Sequence, residues 1–323
     1  MGDRPRLLVT RRLPLAVEAH LSARFEADCN VDDAPLTREA LAAAMMRYDA
    51  ILPTITDRID AELLSTPGAI VKILGNFGAG FEHIDLAAAK RSGIAVTNTP
   101  DALTDTTADL AILLILMAAR RAGEGERELR DGRWTGWRPT HLIGQGVSGK
   151  TLGLVGFGRI AQATAKRARA FGMRIRYFSR TRASQTIEAA CDATPAATLE
   201  ELAAEVDFLS LHVPGGAATR HLVDAPLLAQ MKPHAILINT ARGSVVDEAA
   251  LAEALASGKI GAAGLDVYEQ EPAVHPALLA CERAVLLPHL GSATIETRTA
   301  MGMQAAANLE AFFDKREPPN RVA

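Results

Sequence analysis

Short runs of apolar residues alternate with longer stretches of helical spacing along the whole chain. Leu7-Leu8-Val9, Ala50-Ile51-Leu52, Ile70-Val71-Lys72-Ile73-Leu74, Leu152-Gly153-Leu154-Val155, Phe208-Leu209-Ser210-Leu211, Ile236-Leu237-Ile238 and Val285-Leu286-Leu287 read as strands. Helical patterns fall between them, as over residues 37–46 and 248–256. Apolar strands separated by helices predict an α/β protein, with parallel sheets covered on both faces. Two helical stretches are longer, over about 101–121 and 294–314. The chain shows no internal repeat and no low-complexity tract.

One strand runs into a glycine turn. Gly153-Leu154-Val155-Gly156-Phe157-Gly158-Arg159-Ile160-Ala161 reads as a buried strand, the turn and the start of a helix. Gly156 permits the tight turn, Gly158 lets the backbone approach a phosphate, and Ala161 fills a third small position where helix and strand pack closely. The helix N-terminus offers free N–H groups and the positive end of a dipole, a setting for a dinucleotide pyrophosphate. The following strand, Arg174-Ile175-Arg176-Tyr177-Phe178, ends in Ser179-Arg180-Thr181-Arg182. NAD-binding versions of this motif carry an acidic residue about 20 positions on. Here no Asp or Glu lies between Gly158 and Glu188. A serine and two arginines in its place suit a 2′-phosphate, so NADPH is expected over NADH.

Composition narrows the class. At 323 residues, 48% hydrophobic and 23% charged, the chain has room for about two globular domains. A net charge of −3 gives no basic footprint for nucleic acid or an anionic membrane. Cys29, Cys191 and Cys281 are far apart, so no disulfide framework and no metal site are expected, and a reducing cytoplasm fits best. Arg11 and Arg12 interrupt any signal-peptide run, and the most apolar stretch, 110–119, is too short to span a bilayer.

A dinucleotide fingerprint usually opens its domain, yet this one begins after 150 residues. The two long helices bracket it. Residues 1–100 and 292–323 are therefore expected to form one discontinuous substrate-binding domain, and residues 101–291 a dinucleotide-binding domain. The expected fold is two Rossmann-like or flavodoxin-like domains linked by two long hinge helices, with a cleft beneath the crossings.

Three later segments carry candidate chemistry. Asn239-Thr240-Ala241-Arg242-Gly243 and Leu265-Asp266-Val267-Tyr268-Glu269-Gln270-Glu271-Pro272 each follow an apolar strand, and Leu287-Pro288-His289-Leu290-Gly291 closes the last one. Sheets of this class bind ligands outside the carboxyl ends of their strands. An Arg, a carboxylate and a His, each at such an end, form a candidate catalytic set. Spacing alone leaves Glu269 and Glu271 as rivals for the carboxylate. It also leaves Trp134 and Trp137 open between core packing and a functional role.

Over nearly its whole length the chain resembles the D-isomer-specific 2-hydroxyacid dehydrogenase family, and within it most of all the glyoxylate/hydroxypyruvate reductases. The likeness rests on Asn76-Phe77-Gly78-Ala79-Gly80-Phe81-Glu82-His83-Ile84-Asp85, on Asn98-Thr99-Pro100-Asp101-Ala102-Leu103-Thr104-Asp105-Thr106-Thr107-Ala108-Asp109, on Gly132-Arg133-Trp134-Thr135-Gly136-Trp137 and on the three catalytic segments. It implies Arg242 and His289 as catalytic residues, and it selects Glu271, the acid immediately before the proline, as the partner of His289. The implied substrate residues are Asn76, Ala79, Gly80, Arg242 and His289, with Trp137 reaching from one subunit of a homodimer into the other. That dimer forms through the dinucleotide-binding domain. The expected cofactor residues are Thr107, Gly156, Phe157, Gly158, Arg159, Ile160, Ser179, Arg180, Thr181, Arg182, His212, Val213, Pro214, Thr219, Thr240, Ala241, Asp266, His289 and Ser292.

The implied activity is reduction of small 2-oxo acids such as glyoxylate and hydroxypyruvate. Arg242 would grip the acid with its rigid fork, and His289 would donate the proton. A nicotinamide-sensing co-repressor is a competing reading, disfavoured by the lack of a long tail. Phosphoglycerate, formate and phosphite dehydrogenases are others. The chain leaves no room for an appended regulatory domain, and its Ser-Arg-Thr-Arg segment suits a reductase better.

Overall fold

The computed structural model describes residues 4–323. It divides into two compact units, one running to Leu103 and completed by Ala293–Ala323, the other Thr104–Ser292. Both are α/β layers around a parallel sheet, the two Rossmann-like domains expected.

The first unit holds five strands: β1 (Arg6–Val9), β2 (Glu26–Cys29), β3 (Ala50–Leu52), β4 (Ile73–Gly75) and β5 (Ala95–Thr97), in the order β2-β1-β3-β4-β5. Leu7, Val9, Leu52 and Ile73 face one buried layer with Val17, Leu21, Ala305 and Leu309. Ile51, Leu74 and Val96 face the other with Leu41, Met45 and Leu63. The helix Ile295–Phe313 starts at Thr294, whose hydroxyl accepts the Thr297 N–H and satisfies one of the free donors of the first turn. The strand expected from Ile70 begins at Ile73 instead; Ile70 is 45% exposed and lies in a connecting turn.

The second unit holds β6 (Thr151–Val155), β7 (Arg174–Phe178), β8 (Ala193–Pro195), β9 (Phe208–Leu211), β10 (Ile236–Asn239), β11 (Ala262–Leu265) and β12 (Ala284–Leu286). Their order is β12-β11-β10-β9-β6-β7-β8, a doubly wound sheet whose direction of winding reverses between β6 and β9. At such a reversal the loops leaving the two strands part and leave a crevice. Those loops are the glycine turn after β6 and His212-Val213-Pro214 after β9. The helix Thr104–Ala119 is apolar on most sides, because it packs within this unit with Leu114 and Ile115 buried against the sheet. Among the described residues no helix is long and apolar enough to cross a membrane.

Candidate active site

The glycine turn is built as its composition requires. Gly156 has φ 85°, and a Cβ there would lie 2.7 Å from the His212 carbonyl oxygen. Any side chain would therefore close the crevice. Its N–H donates to Phe178 O at 2.8 Å, fixing the turn against the end of β7. Gly158 caps the helix Arg159–Ala170 without a side-chain hydrogen bond, and the space where its Cβ would stand is open. No side chain at the N-cap therefore competes with an anion for the first turn of this helix. Phe157 stacks on Tyr177, with centroids 4.0 Å apart, and braces the turn from below. Arg159 is exposed and Ile160 half-buried beside it.

Across the crevice, His212 hydrogen-bonds Ser210 Oγ at 2.9 Å, and burial pushes its pKa down to about 4, so it is a neutral ring at physiological pH. Val213 and Pro214 follow, and Thr219 Oγ1 donates to Pro214 O at 2.7 Å, closing that loop on itself. Thr240 contributes a buried hydroxyl with no hydrogen-bond partner within the chain. Buried polar groups are rarely left so, and a bound ligand would satisfy it. Together the glycine cradle, the uncapped helix and this orphan hydroxyl fit a nicotinamide dinucleotide.

At the end of β7, Ser179 is half-buried while Arg180 and Thr181 are exposed. Arg182 is engaged in an ion pair. Its fork pairs with Glu188, Nε to Oε1 at 2.8 Å and Nη2 to Oε2 at 2.9 Å, and Tyr177 also donates to Oε1 at 2.6 Å. The Arg182 and Tyr177 hydrogen bonds hold the Glu188 carboxyl down to about 2. Arg182 therefore sits beside a negative charge, while no ion pair is seen for Arg180 among the described residues.

Three loops leave β10, β11 and β12 and carry the catalytic candidates. Asn239, at the end of β10, accepts the Ala241 N–H at 3.0 Å and donates to Arg242 O at 2.9 Å, shaping the turn that presents Arg242. Gly243 lets this turn approach the next loop, since a Cβ there would lie 1.8 Å from Tyr268 C. Tyr268 donates its hydroxyl to Leu287 O at 2.9 Å and so ties the second loop to the third.

Within that frame Glu271 Oε2 lies 2.8 Å from His289 Nδ1, while Oε1 accepts the Tyr268 N–H at 3.1 Å. Burial of Glu271 disfavours its charge, but the His289 hydrogen bond and charge, the Tyr268 N–H and the Arg242 guanidinium outweigh it and hold the carboxyl below its ordinary value. An ionised carboxylate only accepts, so Nδ1 carries the hydrogen and Nε2 is left for other chemistry. The rival Glu269 is engaged elsewhere, with Arg220 at 2.8 Å and His221 at 2.7 Å.

Asp266, one of the expected cofactor residues, is bound to the turn that carries His289. It is 1% exposed, and its two oxygens accept the Leu290 and Gly291 N–H groups at 2.6 and 2.8 Å. Its own carbonyl accepts the His289 N–H at 2.8 Å. Burial pushes its carboxyl up, against the pull of those N–H groups and of the His289 charge. Asp266 thus fastens the turn that holds His289 at φ 55°. Thr107 serves the same turn, donating to Gly291 O at 3.1 Å, with Ser292 half-buried just beyond. Ala241 is buried in the neighbouring loop.

In the first unit Asn76 is fully buried, and its amide donates to Gly78 O and Gly80 O. It thereby supports the loop that bears Ala79 and Gly80, both half-buried. Trp137 is 82% exposed and Trp134 50%, so neither is a core residue.

Sequence reading did not single out Asn239, Tyr268 or Glu188. The first two stand inside quoted motifs; Glu188 is marked only as the first acid after the glycine turn. Among the described residues no cluster of His, Cys, Asp and Glu could hold a metal ion.

Residues 112–291 match the family model for the D-isomer specific 2-hydroxyacid dehydrogenase NAD binding domain. The chain is 43% identical over 323 residues to a glyoxylate reductase of Thermococcus litoralis, covering 99% of this chain and 97% of that one. It is similar in structure to a glyoxylate reductase from Paecilomyes thermophila, with TM-score 0.88, 36% identity and coverage of 100% and 99%. A second similar structure is an NADPH-dependent glyoxylate/hydroxypyruvate reductase from Sinorhizobium meliloti in complex with NADP and malonate, with TM-score 0.87, 39% identity and coverage of 99% and 97%.

Proposed function

Because the chain belongs to the D-isomer-specific 2-hydroxyacid dehydrogenase family, we propose that it reduces glyoxylate, hydroxypyruvate and similar small 2-oxo acids to D-2-hydroxy acids, with NADPH preferred over NADH. As an NAD(P)-dependent oxidoreductase it needs a hydride carrier, a substrate clamp and a proton donor. The observation that carries the reading is the 2.8 Å pair of Glu271 Oε2 and His289 Nδ1 beside the Arg242 loop.

The glycine turn, the helix start at Arg159, Ser179, Arg180, His212 to Pro214 and Thr240 are the residues to hold the dinucleotide. When bound, it supplies the hydride. The chain's own residues do the rest. Arg242 pairs with the carboxylate and carbonyl of the 2-oxo acid through its planar fork. As the carbonyl carbon is reduced, negative charge grows on its oxygen, and Nε2 of protonated His289 gives up a proton to neutralise it. Glu271 favours the protonated ring and fixes its tautomer. In the first unit, the N–H groups of Ala79 and Gly80 are assigned to the substrate carboxylate.

Oxidation of NADPH by the purified protein with glyoxylate, and chiral analysis of the glycerate formed from hydroxypyruvate, test the proposal. A folded protein that binds NADPH but turns over neither acid would favour a sensor in this scaffold. With Glu271→Gln, the carboxylate charge that favours imidazolium is lost. The alkaline limb of the reduction profile should therefore move to lower pH; an unchanged limb removes Glu271 from the proton donor's support.

The protein is further assigned to the cytoplasm, as a homodimer formed through its dinucleotide-binding unit. For the homodimer, the support lies in large apolar side chains left exposed along one stretch of the sequence: Leu129, Trp134, Trp137 and Ile143. If Trp137 enters a partner's substrate site, Trp137→Ala should change the KM for 2-oxo acids and leave that for NADPH nearly intact. Sedimentation of a fully active monomer at assay concentration would sink this assignment.

A further inference from the structure

The loop after β4 is held from behind by asparagines drawn from distant parts of the first unit. Asn76 and Asn308 are fully buried, and Asn98 is 7% exposed. Asn76 Nδ2 donates to Gly78 O at 3.1 Å and to Gly80 O at 2.9 Å, and Asn98 Nδ2 donates to Ala79 O at 2.8 Å. The Thr99 N–H adds a second bond to Gly78 O at 2.9 Å. Asn98 is fixed in turn by the helix Ile295–Phe313: Asn308 Nδ2 donates to Asn98 O at 3.1 Å, and Asn308 Oδ1 accepts the Asn320 N–H at 3.0 Å. Asn320 O closes the ring by accepting the Asn98 N–H at 3.1 Å.

These bonds determine where the loop's donors point. Among the described residues the only cis peptide is Glu271–Pro272, so the loop's peptides are trans. In a trans peptide the C=O and N–H point in opposite directions. With the carbonyls of Gly78, Ala79 and Gly80 drawn towards buried amides, the N–H groups of Ala79, Gly80 and Phe81 are turned away from them. None of these three N–H groups makes a hydrogen bond within the described residues, and all three residues are half-buried. Consecutive free backbone donors form a concavity for an anion.

We propose that Asn98 and Asn308 are positioning residues, and that the amide relay Asn76–Asn98–Asn308 aims the N–H groups of Ala79, Gly80 and Phe81 as a receptor for the substrate carboxylate. The relay thereby sets the preference for 2-oxo acids over neutral carbonyl compounds. This rests on the reductase reading above and adds to it a third donor and a support that reaches the C-terminal helix. The asparagines touch no substrate. They act by fixing the direction of peptide groups that do.

The test compares glyoxylate with its neutral methyl ester, using wild type, Asn98→Ala and Asn308→Ser, with KM and kcat determined at saturating NADPH. A hydrogen bond to a charged group corresponds to roughly a 10- to 150-fold change. Asn98→Ala should raise the KM for glyoxylate by about tenfold or more, at the low end of that range. Turnover of the ester and the KM for NADPH should hold, so the acid-over-ester preference falls by the same factor. Asn308→Ser should act in the same direction more weakly, and Asn98→Gln, which keeps the amide donor, should restore part of the preference. Binding of oxalate to the NADPH-loaded protein, measured by calorimetry, should weaken in parallel.

A purely structural role would lower thermal stability and impair both substrates alike; that result, or an unchanged preference in folded variants, overturns the proposal. Should Asn98→Ala not fold, the same comparison on Asn308→Ser and Asn98→Gln decides. Wild-type protein that reduces no 2-oxo acid would instead overturn the reductase reading itself.

Discussion

Replacing His289 with alanine is expected to lower kcat on the order of 10²- to 10⁴-fold, the usual loss for a missing general acid, with the KM for NADPH little changed. The loop should survive the change. Its shape depends on backbone bonds to Asp266, which accepts the His289, Leu290 and Gly291 N–H groups at 2.8, 2.6 and 2.8 Å, and not on the imidazole. Arg242→Lys should also be severe, because a point charge cannot replace two parallel donors held in a plane. Steady-state kinetics on both variants, with NADPH binding as the control for folding, check the assignment. Near-normal turnover by His289→Ala would mean that the proton comes from elsewhere. The Asp266 arrangement adds a contrast: Asp266→Asn should disturb the position of His289 and lower kcat without removing the proton donor.

The double change Ser179→Asp with Arg180→Ala is expected to move preference from NADPH towards NADH, chiefly through the coenzyme KM. A carboxylate at position 179 repels the phosphate dianion, and loss of Arg180 removes a charge-assisted contact of about 1.5–3 kcal/mol, roughly 10- to 150-fold. Arg182→Ala alone should matter less. Glu188 already pairs with both arms of its guanidinium, and at about 2 that carboxyl stays ionised through the physiological range. Ratios of kcat/KM for the two coenzymes decide the matter. If wild type uses NADH as well as NADPH, the phosphate pocket is not functional and the coenzyme assignment falls.

Much of this protein is legible in local patterns. Buried strands such as Ile236–Asn239 and Phe208–Leu211 are covered on both faces and therefore read as unbroken apolar runs. Edge strands do not: Glu26–Cys29 alternates exposed and half-buried positions and carries two acids, so nothing in its sequence separates it from a loop. The glycine turn is equally plain, because a positive φ and a 2.7 Å approach to a neighbouring carbonyl admit only glycine at 156. Placing Arg242, Glu271 and His289 at strand ends follows from the same patterns. What the residues alone leave open is which acid serves His289. Glu269 and Glu271 stand two positions apart in one loop, and only the packing of Tyr268 and the neighbouring loops brings the second of them within 2.8 Å of Nδ1.

The same limit hides the neutralisation of Arg182, the fastening role of Asp266 and the asparagine relay. The pattern of apolar and polar positions reports whether a side chain faces core or solvent, which is decided within a few residues. It does not report partners, and Asn308 meets Asn98 across 210 positions of chain. Secondary structure and the phosphate turn are therefore written locally, while the hydrogen-bond partners that orient the candidate site arise only when the sheets and helices pack.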